Sequence, residues 1–375
     1  MDGLRMEEMM PDISRLAQQL VRWLGSSGPD CDIVMSSRIR LARNLTDVPF
    51  PGRATESQQE QILERVVPEV KSLKEMENAY FWPLSSLDPM DKRLLVERHL
   101  ISRELAARSH GSGVVVSADE SISVMINEED HLRLQVIKGG FDLDHAWQHA
   151  DALDSQLGQR LPFGFSNNLG YLTACPTNVG TGMRASVMLH LPAMVLLDQI
   201  SPTVQGVAKV GLVVRGLFGE GTEAMGNFFQ ISNQTTLGES EEDLLLRLSG
   251  VIRTLVQNER NARQTILETQ PKIFYDLVGR AFGVLTNAYV LSSKEAMNLL
   301  SSLRLGQDLG FLSAPDPQRL AELFIQIQPA HFQRVAGNTL GTDDRDSQRA
   351  FQVRQELRSE GWALDIPAPS RPEGD

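Results

Sequence analysis

Cysteine is nearly absent from this chain: 375 residues contain only Cys31 and Cys175. A protein stapled by disulfides carries more, so a disulfide framework is excluded and each thiol is judged singly. Long apolar runs are also missing, and nothing approaches the roughly 18 residues that a membrane span needs. Met1 to Met10 mix acids with methionine and lack a basic stretch ahead of an apolar one, so they do not read as a signal peptide, and the cytoplasm is the expected compartment. Lysine is scarce, with Lys71, Lys74, Lys92, Lys138, Lys209, Lys272 and Lys294 the only ones among 36 basic residues; genomic base composition is the plain cause. Against 48 acidic residues this leaves a net charge of -12, which excludes a broad basic face for nucleic acid and makes any anion site a local one. The familiar nucleotide signatures, Gly-Lys-Ser/Thr, His-Arg-Asp and Asp-Phe-Gly, do not occur, so a nucleotide site would have to rest on arginines.

What is present is ordinary for a soluble globular chain, 41% hydrophobic and 22% charged, with length for two or three domains. Apolar residues at helical spacing predict a helix over 12–24, ending in a Gly-Ser-Ser-Gly-Pro linker. Strand-like runs follow at 33–41, 113–117, 121–136, 183–191 and 207–214, with helices at 57–77, 92–105 and 143–157. Strands grouped in this way predict an α+β fold, an antiparallel sheet flanked by helices. Ser240 and Asp243 stand at capping-box spacing ahead of a long helix that stops before Pro271, and further helices start near Pro271, Ser293, Asp316 and Asp343. The expected plan is an N-terminal helix and linker (1–30), a catalytic domain (31–266), an all-α C-terminal domain (267–366) and a disordered proline-rich tail (367–375).

Several segments carry chemistry. In Ser36-Ser37-Arg38-Ile39-Arg40 the strand period puts Arg38 and Arg40 on one face, where two guanidinium forks suit a polyphosphate; a solvated edge strand is the plainer reading of the pair alone. Glu128-Glu129-Asp130-His131 interrupts an apolar run and calls for a metal, a basic ligand or internal arginines nearby; if the strand continues, Glu129, His131, Arg133 and Gln135 share a face. Cys175 heads the glycine-containing loop Pro176-Thr177-Asn178-Val179-Gly180-Thr181-Gly182, which leads into Arg184. Arg215 ends another strand before Gly216-Leu217-Phe218-Gly219-Glu220-Gly221, where glycines permit close backbone approach to a ligand.

Ser-Ser-Arg-Ile-Arg, Asn-Glu-Glu-Asp-His, Cys-Pro-Thr-Asn-Val-Gly-Thr-Gly and Arg-Gly-Leu-Phe-Gly-Glu occur here in the order seen in guanidino (phosphagen) kinases, and the chain more closely resembles the bacterial protein-arginine kinases. The resemblance is dense from about Asp32 to Arg263 and thinner beyond. It implies ATP and Mg²⁺ as cofactors, the metal held through the nucleotide phosphates rather than by protein ligands. It implies an ATP site at Ser36, Ser37, Arg38, Ile39, Arg40, His99, Arg133, Arg184, Ala185, Ser186, Val187, Met188, Arg215, Gly216, Leu217, Phe218, Gly219 and Glu220. Glu129 resembles the catalytic carboxylate, Glu220 its guanidinium-orienting partner and Cys175 the thiol beside that group. Arg345-Asp346-Ser347-Gln348-Arg349-Ala350 matches the phosphoarginine-binding motif of these kinases, with Arg345 and Arg349 four apart on one helical face; by itself it reads as a solvated helix start.

The implied activity moves the γ-phosphoryl group of ATP to arginine side chains in proteins, marking stress-damaged or regulatory proteins for proteolysis. Only about 30 residues precede the first arginine motif, where small-molecule phosphagen kinases have a helical domain, and the acceptor side is expected to be open to protein arginine. The implied associates are a second copy of the chain, a zinc-binding activator, a heat-shock transcriptional repressor as substrate and a Clp-type unfoldase; neither nucleic acid nor membrane is expected. The alternatives are a kinase for free arginine or another small guanidino compound, an inactive phosphoarginine-binding adaptor and, furthest off, a metal-binding or redox protein.

Overall fold

The computed structural model describes residues 13–24, 28–216, 224–337 and 341–368. Its first helix is short, α1 (Ser14–Gln18), followed by a 3-10 turn over Arg22–Leu24; Asp12, the expected cap, lies outside the described residues. β1 (Val34–Arg43) then enters the middle of an eight-stranded antiparallel sheet. Its other strands are β2 (Tyr80–Pro83), β3 (Gly113–Val116), β4 (Ile122–Ile126), β5 (Leu132–Gly139), β8 (Met183–His190), β9 (Leu212–Gly216) and β10 (Phe228–Asn233), in the order β2-β3-β4-β5-β1-β8-β10-β9. A separate hairpin pairs β6 (Phe165–Ser166) with β7 (Gly170–Tyr171). The edge-strand reading of the Arg38–Arg40 segment therefore fails: β1 is bonded on one side to β5 and on the other to β8.

Between the strands lie α2 (Glu56–Lys71), α3 (Pro89–Glu97), α4 (Arg103–Ala106), α5 (Leu143–Gly158), α6 (Pro192–Leu196) and α7 (Ile200–Lys209). The long α8 (Glu241–Thr269) starts as expected, with Ser240 Oγ accepting from Asp243 N at 3.1 Å. Ile39, Leu41, Leu134, Val136, Ala185 and Val187 are all buried on one face of the sheet. α5 packs on β1 and β5, and α8 on β8 and β10. This core supplies most of the stabilisation, since burying one such side chain is worth about 1.5–3 kcal/mol.

α9 (Pro271–Asn287), α10 (Ser293–Asp308), α11 (Pro317–Gln326), α12 (Pro329–Ala336) and α13 (Thr342–Leu357) form the helical C-terminal part. The boundary expected at 266/267 falls inside α8, which continues to Thr269. The helices share one hydrophobic core with the sheet, and Phe324 meets Phe228 of β10 edge to face at 5.0 Å. A buried polar clasp adds to this contact. Glu97 accepts from Ala330 N (2.9 Å) and His331 N (3.0 Å), satisfying otherwise orphaned donors at the start of α12. Its neighbour Arg98 is 1% exposed, donates to Glu120 from both Nε (2.7 Å) and Nη2 (2.5 Å), and reaches the Gln19 carbonyl from Nη1 at 3.2 Å. His331 sits between them, with Nδ1 3.3 Å from Glu97 and Nε2 3.1 Å from Arg98. Burial holds this imidazole below its ordinary pKa, so a single neutral tautomer, Nδ1 donating and Nε2 accepting, serves both neighbours.

Two expected strands are corrected. The run 121–136 is a hairpin: Asn127 turns the chain at φ 57° and its N–H donates to the His131 carbonyl at 2.9 Å. Asn tolerates that left-handed conformation, and five successive polar residues had nowhere to go within an apolar sheet. Glu129 and His131 accordingly sit in a turn and do not alternate with Arg133 and Gln135 along one strand. The run 207–214 divides into the end of α7, where Val207 is buried, and β9, with Gly211 (φ 74°) between them. β2 and β10 were not anticipated. Of the expected tail, 369–375 lies outside the described residues.

Candidate active site

The face opposite the core is built by strand period and register. Arg40 stands across from Gln135 on β5 and Arg184 on β8; Arg38 is across from Ser186, and Gln230 of β10 from both Met188 and Arg215. Arg133 is across from Ala42, which shares the parity of Arg40. Five strands thus bring Arg38, Arg40, Arg133, Arg184 and Arg215 to one side of the sheet, with Ser36, Ser186 and Met188 between them. Ser37, Ile39, Ala185 and Val187 point the other way. Ile39, Ala185 and Val187 are fully buried in the core, and Ser37 Oγ donates to the Gly140 carbonyl at 2.9 Å and accepts from Asp142 N at 2.9 Å. These four expected ATP-site residues therefore support the site from behind, without side-chain access to it.

The cations are crowded and only partly neutralised. Arg38 Nη2 donates to Gln230 Oε1 at 3.0 Å and its Nε to Ser186 Oγ at 3.3 Å; neither acceptor is charged. Burial, with Arg133 and Arg184 nearby, pushes the Arg38 guanidinium down to about 10. Arg40 is driven well below its ordinary value by burial and the same cations, and its Nε is buried without a protein partner. Arg184 is lowered as well, by burial first and then by Arg215 and Arg133. Such a face stores repulsion that a polyanion relieves. Inorganic tripolyphosphate at 100 times its Kd is expected to stabilise the fold by about 2.7 kcal/mol, read as a rise in thermal midpoint, where sodium sulfate at equal ionic strength gives little. No difference between the two salts would remove the case for a polyphosphate clamp.

The arginine face opens into a cavity of about 510 Å³, lined by Arg40, Arg133, Arg184 and Arg215 together with the acidic turn (Glu128, Glu129) and the Cys175 loop. Glu128 is 1% exposed and ion-paired to Arg133 at 2.6 Å, with Ser102 Oγ donating to the same carboxylate. Glu129, 43% exposed, reaches Arg133 at 3.3 Å. Its carboxyl is raised above the ordinary range by burial and by Asp130 and Glu128, an effect that Arg133 and a hydrogen bond with Cys175 oppose. Asp130 fixes the two sides together: Oδ1 accepts from Asn44 Nδ2 and from Ala174 N, each at 2.6 Å, which sets the Cys175 loop beside the turn. His131 Nδ1 accepts from Leu45 N at 3.0 Å. Glu128 and Glu129 are thus engaged by Arg133 and Asp130 Oδ1 by Asn44 and Ala174, and among the described residues no group of three His, Cys, Asp or Glu is arranged to hold a metal ion.

His99 flanks the other end of the face. It adopts φ 58°, its ring meets Trp23 edge to face at 5.3 Å, and burial with the Arg38 charge pushes it down to about 3, so it is neutral at working pH. Gly216 closes β9; Leu217, Phe218, Gly219 and Glu220 lie outside the described residues. Glu128, Ser102 and Gln230 were given no role from sequence. The buried Glu128 could have been found from its place beside Glu129, since a carboxylate inside an apolar run needs a cation; Gln230 has no sequence signal apart from its pairing partner Arg215.

In the C-terminal motif the reading as a solvated helix start fails at Arg349. Arg349 is 1% exposed and its guanidinium is taken up inside the helical domain, donating to the Ile327 carbonyl (3.0 Å), the Leu291 carbonyl (2.7 Å) and Asp346 (2.5 Å). Ala350 is buried, Arg345, Asp346 and Ser347 are half-buried and Gln348 is exposed. Arg349 therefore pins α13 to two loops and does not form an open phosphate fork with Arg345. Arg349→Ala is expected to destabilise the fold by about 3 kcal/mol, because two carbonyls and a carboxylate lose their donor. A change under about 1 kcal/mol in urea unfolding would count against that role.

Residues 61–262 match the family model described as ATP:guanido phosphotransferase, C-terminal catalytic domain, and residues 271–366 match the one described as Protein-arginine kinase McsB C-terminal domain. The protein-arginine kinase of Symbiobacterium thermophilum is 48% identical over 339 residues, covering 90% of this chain and 96% of the relative. That of Moorella thermoacetica is 48% identical over 339 residues, covering 90% and 97%. Among solved structures, lombricine kinase superposes with a TM-score of 0.55 at 24% identity over 69% of this chain and 72% of its own. The substrate-free duplicated taurocyamine kinase from Schistosoma mansoni does so with 0.56 at 23% identity, over 72% of this chain and 41% of its own, so this chain spans less than half of that one. At those identities the two structures speak to the fold, whereas the family matches and the bacterial relatives account for the sheet and the helical part together: the chain belongs to the protein-arginine kinase family of ATP:guanido phosphotransferases.

Proposed function

We propose that this chain transfers the γ-phosphoryl group of ATP to the guanidinium of arginine side chains in proteins. The observation that carries the reading is the junction in one cavity of an under-neutralised arginine face with a carboxylate and a thiol, Glu129 and Cys175. A guanidinium has a pKa above about 12 and is a poor nucleophile, so the site must hold its fork in line with the γ-phosphorus. Glu129, as the carboxylate, can grip the fork and take the proton released as the N–P bond forms and the bond to the ADP oxygen breaks. The arginines bear the charge of the phosphate oxygens, with positioning and electrostatics as the main contributions. Glu128 and Glu129 are both engaged with Arg133, which fits Mg²⁺ carried on the nucleotide phosphates, where it would neutralise the same oxygens. The tie between Asp130 and Ala174 keeps Cys175 and Glu129 side by side as the acceptor enters. A neutral His99 can hydrogen-bond the nucleotide without adding to the crowded cations.

Incubation with Mg-ATP and a folded arginine-bearing protein tests the reading. Phosphate that is acid-labile and alkali-tolerant is expected on the protein, with free arginine a poor acceptor. Phosphate confined to Ser, Thr or Tyr overturns it. A cytoplasmic stress role, a homodimer and delivery of marked proteins to an unfoldase extend the proposal and are supported by resemblance to the bacterial relatives.

A further inference from the structure

The loop that carries Cys175 begins with the β6–β7 hairpin, turned through Asn167, Asn168 and Leu169. Phe165 is 57% and Leu169 47% exposed, and Leu237, next to the same loop, is 55% exposed. Exposed apolar residues scattered singly need no explanation, but these lie on one continuous tract. Phe165 pairs with Tyr171, Tyr171 bridges to Gly180, and the Thr236 hydroxyl donates to the carbonyls of Thr177 (3.1 Å) and Val179 (2.7 Å). The tract ends at the active-site cavity, which Cys175, Thr177 and Asn178 also line. Residues 163–183 contain no Asp, Glu, Lys, Arg or His, in a chain that is 22% charged.

The tract is also stiff. Arg43, 2% exposed, lies 3.4 Å from the centroid of the Tyr171 ring while its guanidinium bonds Asp154 and the carbonyls of Ala42 and Thr181. Phe165 meets Tyr171 edge to face at 5.2 Å. An exposed hairpin anchored on a buried cation presents its apolar side chains with little ordering left to be done when a partner arrives.

Resting on the protein-arginine reading, we infer that this tract docks the acceptor protein, gripping an uncharged apolar side chain a few residues from the arginine in an extended or locally unfolded segment. Extended chain advances about 3.3 Å per residue, so a side chain two to four positions from the arginine passes over the rim while the guanidinium enters the cavity. Free arginine has nothing to offer the tract.

Two peptides with one arginine each test this, one with Leu and Phe at the flanking positions and one with Gly and Ser. Wild-type kcat/KM is expected to be about tenfold higher for the apolar peptide, as partial burial of one large side chain allows, with the difference in KM. Leu169→Ser and, separately, Phe165→Ser bring the ratio close to one and leave the rate on the Gly/Ser peptide unchanged. Leu169 is at the turn, so its variant reads the tract even if Phe165→Ser unfolds. A wild-type ratio near one, or folded variants that keep the preference, overturns the inference while phosphorylation of the Gly/Ser peptide leaves the activity standing. A wild-type dimer that Leu169→Ser dissociates assigns the tract to a second copy and overturns it too. Arginine phosphate on neither peptide overturns the activity and the inference together.

Discussion

Glu129→Gln lowers kcat by about 10² to 10⁴, the usual contribution of a positioned acid-base group, and leaves ATP affinity within about twofold. The substitution keeps the shape of the side chain in the cavity and its reach to Arg133 and Cys175, but removes the basic oxygen. ATP affinity is expected to hold because, in the proposed reading, the arginine face carries the nucleotide. Wild-type kcat falls on the acid side as Glu129 takes a proton. Because burial and the neighbouring Asp130 and Glu128 hold its carboxyl above the ordinary range, that fall begins at higher pH than for an exposed glutamate. The variant loses this acid limb. Retention of more than about a tenth of the rate would assign the proton elsewhere.

Arg40→Met separates stability from activity in opposite directions. Arg40 is half-buried, carries a buried and unpartnered Nε and is repelled by Arg38, Arg133 and Arg184, with Glu128 attracting it. Methionine keeps the apolar stem and removes the charge, so the nucleotide-free protein is expected to unfold at a higher temperature than wild type. Phosphoryl transfer falls about 10³-fold or more, since arginines that meet the transferring phosphate are worth that much in other phosphotransferases. The stabilisation by tripolyphosphate shrinks alongside. A variant with a lower thermal midpoint and near-normal turnover would show that Arg40 is structural.

Strand parity alone put Arg38 and Arg40 on one face, because a period of two is local information. That Arg184, Arg133 and Arg215 join them depends on the register of four other strands, which the residues of β1 do not encode. The turn at 127–131 was misread because apolar residues on both sides masked a polar stretch that the hairpin needs. The end of α7 was misread because β-branched Val207, with Val210 just beyond it, fits a strand as well as a helix, and tertiary packing decided. The burial of Arg349 was not legible either: its motif has the spacing of an open fork, and the carbonyls that consume it come from loops far off in sequence. Glu129 and Cys175 were each singled out from the motifs, but that they line one cavity, with Asp130 bonding Ala174 between them, rests on a contact between distant segments.

Glu97, Arg98 and His99 are consecutive, and they reach in different directions: to the start of α12, to the β3–β4 connection with the N-terminal segment, and to Trp23 beside the arginine face. The helical C-terminal part is therefore not an appendage that inheritance can add or drop at will. A guanidino kinase that acquired these helices without an acid at the position of Glu97 would leave the first donors of α12 buried and unmet. One that lost the helices would uncover Glu97 and the apolar side chains around it, two residues from His99. Either change costs stability at the catalytic end, so the two halves are expected to have passed from ancestor to descendant as a single unit.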